Sequence, residues 1–194
     1  PVIEDNPYGE LRFEGEMLPS LKCFDPKNLV IHLGTFSKIF APGLRLGWVI
    51  AAPEILSKYN LVKQGADLQC STIAQREVAQ FLTMFDIEEH IRKIKDVYRK
   101  RRDLMIETIK KEFPSDVACT YPSGGLFAWV TFPEHIDAAE LLKKALEQKV
   151  AFVPGEPFYP NGGNANHARL NYSNMPEDKI VEGIVRMAKV LKTL

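Results

Sequence analysis

The chain has 194 residues, 45% of them hydrophobic and 26% charged, and its 25 basic side chains balance 25 acidic ones. This neutral charge argues against a nucleic-acid or membrane-surface protein, which needs surplus positive charge to bind phosphates. No apolar run approaches the ~20 residues that span a bilayer. The three cysteines are far apart and form no CxxC pair. We therefore expect no zinc site and no disulfide framework, and a reducing, cytoplasmic compartment.

The start of the chain has neither an initiator methionine nor a signal-like segment. The apolar pair Val2 and Ile3 already predicts a strand. We therefore expect the chain to be a piece of a longer protein.

The first half of the chain is predicted to alternate between strands and helices. Three short runs predict strands, and because they are almost continuously apolar, we expect burial on both faces between helices. These runs are residues 2–3, 29–33 and 46–51. Helices are predicted over residues 53 to about 68, 72–85 and 86 to about 113.

The third of these helices has apolar residues at spacings of three, four or seven, which places them on one stripe. The stripe consists of Ile87, Ile91, Ile94, Tyr98, Met105, Ile109 and Phe113. A basic cluster at residues 99–102 is flanked by acidic residues. We expect this cluster to be a solvated helix face with intrahelical ion pairs rather than a nucleic-acid site.

The second half of the chain predicts a smaller α+β unit. Strands are predicted at residues 126–132, 150–155 and 168–172. Asp137 and Glu140 have the spacing of a capping box, and Pro176 begins the last helix. The buried stripe of that helix is expected to be Ile180, Ile184, Met187, Leu191 and Leu194. We place the domain boundary near residue 100, which gives domains 1–100 and 101–194.

One loop between two predicted strands collects groups that can bind an anion. Lys38 follows the hydroxyl residues Thr35 and Ser37, and Arg45 comes seven positions later. Hydroxyls and a planar guanidinium suit a phosphate, and a partly desolvated lysine is the kind of amine that forms Schiff bases. The same spacing also fits an ordinary lysine in a surface turn, so both interpretations stay open here.

Two further polar residues lie at the end of a predicted strand or within one, where each needs either a ligand or a partner inside the chain. Asp5 ends the first strand three residues before Tyr8, where it either meets a ligand at the sheet edge or starts an Asx turn. Arg169 lies between apolar neighbours, so it either pairs internally or binds an anionic ligand. The four histidines lack metal-ligand spacing, and His32 is expected to be a hydrogen-bonded core residue.

Four segments that occur in order make a more specific pattern. They are residues 4–9 (EDNPYG), 35–48 (TFSKIFAPGLRLGW), 122–127 (PSGGLF) and 169–173 (RLNYS). The series resembles the fold type I, pyridoxal-phosphate-dependent aminotransferases of class I/II, in particular the 2-aminoadipate, kynurenine and aromatic or branched-chain branch. The resemblance covers the whole chain but only the C-terminal half of such an enzyme. It implies an α/β fold in which part of the large cofactor-binding domain, with a mixed and mostly parallel sheet, precedes a small α+β domain.

The resemblance also implies a role for each candidate residue. Lys38 would bind pyridoxal phosphate covalently and then move the substrate proton. Asp5 would face the pyridine nitrogen, Tyr8 the ring 3-hydroxyl, and Arg169 the α-carboxylate of the substrate. The residues expected to hold the phosphate are Thr35, Ser37 and Arg45.

The parent protein is then expected to be a homodimeric aminotransferase that moves an amino group from an L-amino acid to a 2-oxo acid. Because the family also needs an N-terminal half, the isolated chain is expected to be inactive. Two alternatives stay open: the aminotransferase-like domain of a winged-helix transcriptional regulator, whose upstream module would bind DNA, or another pyridoxal-phosphate enzyme such as a β-lyase. Aromatic, acidic and branched substrates all fit the pattern.

Overall fold

The computed structural model describes residues 1–194, and the chain divides into two units, Pro1–Lys93 and Ile94–Leu194. The boundary falls inside a helix, Ile87–Glu112, which begins in the first unit and ends in the second. No helix of the chain combines the length and the apolarity that a membrane span requires.

The first unit contains a three-stranded sheet in the order β1-β2-β3, formed by Val2–Asp5 (β1), Val30–Thr35 (β2) and Gly47–Ile50 (β3). β1 runs parallel to β2, and β3 runs antiparallel to it. The sheet is therefore mixed, as predicted, although parallel and antiparallel pairings are equal in number among these strands. All three predicted strands are present.

The predicted burial of these strands on both faces is wrong for this chain. Val30 and Ile31 of the central strand are buried, but Val2 and Ile3 of β1 are 50% and 63% exposed. Ile50 of β3 is 49% exposed. These side chains stay accessible because no other element of the chain covers them. An apolar run thus identifies a strand without identifying what packs on it.

Two helices follow the sheet, α1 (Pro53–Ala66) and α2 (Thr72–Met84), as predicted. Ser71 caps α2, because its hydroxyl accepts a hydrogen bond from the Ala74 backbone amide at 3.3 Å. The buried face of α2 packs against the residue that precedes β3. This cluster consists of Leu46, Ala74 and Val78, with Phe36, Phe40, Leu44 and Cys70 partly buried against it.

The long helix α3 (Ile87–Glu112) confirms the predicted apolar stripe, whose members are all buried or half-buried. The expectation of a solvated basic cluster on this helix is wrong for two of its four residues. Arg102 is fully buried, and the Arg101 side chain is 19% exposed. Both side chains instead bind backbone carbonyl groups of the second unit, Arg101 that of Ser173 and Arg102 that of Pro122.

The second unit contains an antiparallel sheet in the order β4-β5-β7-β6. Its strands are Ala118–Cys119 (β4), Phe127–Thr131 (β5), Val153–Pro154 (β6) and His167–Asn171 (β7). β5 and β7 form the longest pairing, with Trp129 opposite Arg169. The sequence pattern did not predict β4, because a two-residue strand carries no periodic signal.

Two helices complete the second unit, α4 (Ala138–Glu147) and α5 (Glu177–Leu191). Asp137 caps α4 as predicted and accepts hydrogen bonds from the amides of Ala139 and Glu140. The predicted strand over residues 150–155 shrinks to β6, because Val150 instead closes α4. The Val150 amide donates to the Ala145 carbonyl oxygen. Lys149, the residue before Val150, has a left-handed φ of 58°. The predicted burial of Leu194 is also wrong, since α5 ends three residues earlier and Leu194 is 45% exposed.

Candidate functional site

Six of the seven predicted site residues lie at one edge of the first sheet. β1 and β2 are parallel, so Asp5 and Thr35 end their strands at the same edge. β3 starts at this edge, because its first residue pairs with Thr35. The connection between β2 and β3 carries Ser37, Lys38 and Arg45, and Tyr8 follows β1 by three residues. The order and direction of the three strands are therefore sufficient to bring these residues to one edge of the sheet.

The loop that carries Lys38 is held in place by apolar anchors on both sides of the lysine. Ile39 is buried, and Phe40 packs against Phe81 of α2 with ring centroids 4.3 Å apart. Phe36 packs against Trp48 of β3 at 4.9 Å. Residues 36–40 are further fixed by a hydrogen bond from the Phe40 amide to the Phe36 carbonyl. Lys38 is thus a half-buried polar residue on a rigid loop.

Gly34 is required at the end of β2 because the Trp48 ring crosses directly over it. A Cβ atom at position 34 would lie 2.1 Å from the ring atom Cε2 of Trp48, far inside any permitted contact. The glycine leaves room for the Trp48 ring, which packs against Phe36 of the loop.

Two hydroxyl groups meet at the start of the loop. The Thr35 hydroxyl donates to the Leu46 carbonyl oxygen at 3.1 Å and accepts a hydrogen bond from the Ser37 backbone amide, also at 3.1 Å. Ser37 Oγ lies 3.0 Å from Thr35 Oγ1. The pair therefore presents adjacent hydroxyls whose positions are set by the backbone on both sides of the loop.

The two cationic side chains of the loop have hydrogen-bond donors that are not used within the chain. Lys38 makes no hydrogen bond or ion pair in the chain. Arg45 donates once, from Nη1 to the Pro42 carbonyl oxygen at 3.1 Å. The Arg45 backbone is left-handed, with φ 54° and ψ 39°, a conformation that costs a non-glycine residue about 1–2 kcal/mol. A glycine would adopt this conformation at lower cost.

A hydrogen-bond network fixes the strand that presents Asp5. The carboxylate of Glu4 accepts hydrogen bonds from the Ser20 hydroxyl at 2.5 Å and from the Leu21 amide at 3.1 Å. The His32 ring, opposite Glu4 in the sheet register, lies 3.1 Å from the same carboxylate. Burial disfavours the ionised form, but these hydrogen bonds outweigh it and hold the pKa of Glu4 at about 2. His32 is hydrogen-bonded, as expected, although it is half-buried rather than in the core.

The Glu4 network predicts a pH-dependent stability. Because the pKa of Glu4 falls from its ordinary 4.5 to about 2 on folding, its contribution is present above pH 4.5 and is lost as the pH falls towards 2. We expect Glu4→Gln to lower the free energy of unfolding by about 1.5–3 kcal/mol at neutral pH. Urea unfolding from pH 7 to pH 2.5 measures this difference, which should shrink at the acid end.

Glu16→Gln is the matched control, because Glu16 is exposed and makes no hydrogen bond or ion pair. It should leave stability unchanged at every pH. An effect of Glu4→Gln that did not vary with pH would show that the Glu4 side chain contributes packing rather than charge.

The seventh predicted residue, Arg169, belongs to the second unit and lies on β7. Its guanidinium carbon is 4.2 Å from the centre of the Phe127 ring and 4.6 Å from that of Phe158. No carboxylate of the chain pairs with it, and its buried Nε has no hydrogen-bond partner. The two rings thus lie beside a guanidinium that no acidic side chain of the chain neutralises. Its N–H donors are the kind of group that binds an anion.

Arg169 also lines a cleft of about 430 Å³. Apolar and amide side chains make up the rest of its wall, among them Phe127, Phe152, Val153, Asn171 and Met175. The sequence pattern missed the aromatic partners Phe127 and Phe158. Phe127 lies two residues before Trp129, the residue opposite Arg169 in the paired strand. No sequence pattern indicates either ring as a partner of Arg169, because the register of the strands is a property of the fold.

No group of three or more His, Cys, Asp or Glu side chains is arranged to hold a metal ion. Burial raises the pKa of the Cys119 thiol to about 11, and the nearby charge of Lys110 only partly offsets this. That thiol is therefore protonated at neutral pH and is a poor nucleophile. The chemistry available to the chain rests on its lysine, hydroxyl, carboxylate and guanidinium groups.

Comparison with known proteins adds independent information. The model of the family "Aminotransferase class I and II" matches residues 2–187. An aromatic-amino-acid aminotransferase of Thermococcus litoralis is 44% identical over 98% of this chain and 46% of its own length. The structure of α-aminoadipate aminotransferase from Thermus thermophilus, complexed with N-(5'-phosphopyridoxyl)-L-leucine, matches with a TM-score of 0.95 and 39% identity. That match covers 99% of this chain and 50% of the other.

A second solved structure, kynurenine aminotransferase of Pyrococcus horikoshii in complex with PMP, matches with a TM-score of 0.94 and 43% identity, over 99% of this chain and 48% of the other. A more distant relative is an uncharacterised HTH-type transcriptional regulator of Bacillus subtilis, 30% identical over 100% of this chain and 40% of its own length. The chain thus spans half or less of the length of the relatives it matches.

Proposed function

The chain belongs to the class I and II aminotransferases, and from this membership we propose that the whole protein is a pyridoxal-phosphate-dependent aminotransferase. It would move an amino group from an L-amino acid to a 2-oxo acid. One observation carries the proposal: in a chain of this family, an unpartnered lysine, two hydroxyls and an arginine come together at one sheet edge. The donor set suits a phosphorylated aldehyde, since the hydroxyls and guanidinium match a phosphate and the amine matches an aldehyde.

The phosphate would be held by Thr35, Ser37 and Arg45. Thr35 and Ser37 are already positioned by the Leu46 carbonyl and by each other, so little side-chain entropy is lost when they bind. Arg45 brings a planar fork of donors, of which only one is used inside the chain. The left-handed backbone of Arg45 is explained if the guanidinium is needed for this anion.

Pyridoxal phosphate, when bound, supplies an electron-withdrawing ring that accepts the electrons released at the substrate Cα. Lys38 would bind the cofactor and, once released, take the proton from Cα as general base. Asp5 would face the ring nitrogen and keep it protonated through its negative charge. Tyr8, three residues beyond β1, would donate its hydroxyl to the ring oxygen.

Arg169 would bind the α-carboxylate of the substrate. A bidentate hydrogen bond from its free edge fixes the orientation of the substrate and so selects which Cα bond reacts. We assign residues 1–100 to the large cofactor-binding domain and 101–194 to the small C-terminal domain of this enzyme. Homologues named for aromatic and 2-aminoadipate substrates support amino acids with large side chains as the substrate class. We also propose a homodimer that works in the cytoplasm.

The proposal is tested on the full-length protein with added pyridoxal phosphate. We expect a visible-to-near-ultraviolet absorbance band, and after borohydride reduction a peptide whose mass shows the cofactor on Lys38. Amino transfer to 2-oxoglutarate should then be measured with phenylalanine, 2-aminoadipate and leucine as donors. The band together with elimination products instead of transfer would indicate a β-lyase. Absence of both the band and the modified peptide would refute the assignment.

A second candidate function, a ligand domain of a transcriptional regulator, is supported by the 30% identity to the HTH-type protein. The sequence upstream of Pro1 in the parent gene distinguishes the two. A basic helix-turn-helix segment there, with retention of the full-length protein on its own promoter DNA, would favour the regulator. An upstream half without such a segment would favour the enzyme.

A further inference from the structure

Two arginines of α3 bind the segments that flank the paired strands β5 and β7. Arg102 is fully buried, and its Nη1 donates to the Pro122 carbonyl, five residues before β5. Arg101 Nη1 donates to the Ser173 carbonyl at 2.7 Å, just beyond the end of β7. Phe127 and Asn171 are paired, so both bonds tie the helix to the end of the β5–β7 pair where β5 begins and β7, the strand of Arg169, ends.

The buried guanidinium of Arg102 is well satisfied. Its Nε donates to Asp103 Oδ1 at 2.7 Å, and its Cζ lies 3.9 Å from the centre of the Tyr121 ring. The Tyr121 hydroxyl in turn donates to Asp103 Oδ1 at 2.8 Å. A charge removed from water needs such partners, because leaving it unpaired is strongly destabilising. The bond to Pro122 is thus made by a side chain that cannot swing away.

Tyr172 holds the same loop from the other side. Its side chain is fully buried, its hydroxyl donates to the Gly124 carbonyl at 3.0 Å, and its backbone amide donates to the Leu126 carbonyl at 3.1 Å. Burial raises the pKa of this phenol, and the charge of Arg102 only partly opposes that shift. The phenol therefore stays protonated and remains a donor at neutral pH.

The loop between these two contacts, residues 122–125, needs external support. Gly125 has a φ of 78°, so the backbone turns here in a conformation that only glycine adopts freely. Arg102 binds the carbonyl of Pro122 in this loop, and Tyr172 binds that of Gly124. It leads through buried Leu126 directly into Phe127, whose ring lies 4.2 Å from the Arg169 guanidinium carbon.

We propose that Arg102 and Tyr172 are positioning residues for the substrate carboxylate site. By holding loop 122–125 they fix the start of β5, and thereby the position of the Phe127 ring against the Arg169 guanidinium. This inference rests on the proposed function, since it assigns the carboxylate of an amino acid to Arg169. It gives the buried half of the basic cluster a role that the sequence pattern did not predict.

The test compares Tyr172→Phe with Tyr59→Phe in the full-length protein loaded with pyridoxal phosphate. Tyr172→Phe deletes only the hydroxyl that binds Gly124, whereas Tyr59→Phe deletes an exposed hydroxyl that has no hydrogen-bond partner in the chain. We expect Tyr172→Phe to raise KM for phenylalanine about 3- to 10-fold. Its kcat should stay within about twofold, and turnover of 2-phenylethylamine, which lacks the carboxylate, should not change. Tyr59→Phe should behave as the parent with both substrates.

Arg102→Lys is a second variant, expected to raise KM further because a lysine has no fork to bind both Asp103 and Pro122. If it does not fold, Tyr172→Phe still decides the question. A lower melting temperature with unchanged KM, or equal losses with phenylalanine and 2-phenylethylamine, would overturn the proposal and leave the two residues as structural supports.

A binding measurement separates this inference from the proposed function. Calorimetry with 3-phenylpropanoate, a carboxylate without an amino group, reports on the carboxylate site even if no transfer occurs. We expect weaker binding to Tyr172→Phe and unchanged binding to Tyr59→Phe. A protein that binds 3-phenylpropanoate in this pattern but transfers no amino group would refute the enzyme and keep the positioning role. Equal binding by all three proteins would refute the positioning role alone.

Discussion

Lys38→Ala is expected to abolish both cofactor attachment and amino transfer in the full-length protein. Lys38 is half-buried, makes no bond within the chain, and lies beside Ser37 on a loop anchored by Ile39 and Phe40. Loss of a general base alone costs about 10²- to 10⁴-fold in rate. Loss of the covalent attachment removes the absorbance band as well. Stopped-flow measurement of a single turnover with phenylalanine gives the residual rate.

Lys27→Ala is the matched control, because Lys27 is exposed in the same unit and has no hydrogen-bond or ion-pair partner in the chain. It should keep both the absorbance band and the rate. Addition of methylamine to Lys38→Ala should restore part of the turnover, since a free amine can then accept the proton. A Lys38→Ala protein that turned over at the parent rate would remove the lysine from the mechanism.

The order of strands and helices was predictable because it depends on local signals. Pro53 is the first residue of α1, and Ser71 and Asp137 are the N-cap residues of α2 and α4. The apolar stripe of α3 was predictable because its apolar residues recur with the 3.6-residue period of an α-helix along 26 residues. Structures other than a helix rarely produce such a pattern. These features need no knowledge of what packs against them.

The surroundings of each element were not predictable in the same way. The exposed apolar residues of β1 and the buried Arg102 both break the expectation that polarity determines burial. For Arg102 the reason is a set of partners that come from distant segments, among them Pro122 and Tyr121. Val150 was misassigned for a related reason, because its amide closes α4 instead of joining β6.

The same distinction between local signals and long-range packing applies to the candidate site. The sheet-edge residues were found from the sequence because parallel strands must end together and the intervening loop is short. The aromatic faces around Arg169 were not, since Phe158 follows β6 and meets Arg169 only through the antiparallel order of the second sheet. Sequence spacing can therefore nominate a charged residue for a site, whereas only the fold shows whether another side chain already neutralises it.

Substitution of Arg169 is expected to separate carboxylate recognition from the chemical step. Its guanidinium has no acidic partner in the chain and lies close to the rings of Phe127 and Phe158. Truncating one side of a buried charged pair costs about 2–5 kcal/mol. For Arg169→Gln this corresponds to a loss of about 30- to 5,000-fold in kcat/KM for phenylalanine. Arg169→Lys keeps the charge but loses the fork, so we expect a smaller, still substantial loss.

Comparison of two substrates, one with and one without a carboxylate, distinguishes carboxylate recognition from a structural role of Arg169. Turnover of 2-phenylethylamine should change little in either Arg169 variant, because that amine has no carboxylate to lose. The cofactor absorbance band should persist, since Arg169 does not hold the cofactor in this proposal. Arg186→Lys is the matched control, as Arg186 is already paired with Glu182 on α5. If phenylalanine and 2-phenylethylamine lost activity equally, Arg169 would serve the fold of the second sheet. The carboxylate would then have to bind a different cation.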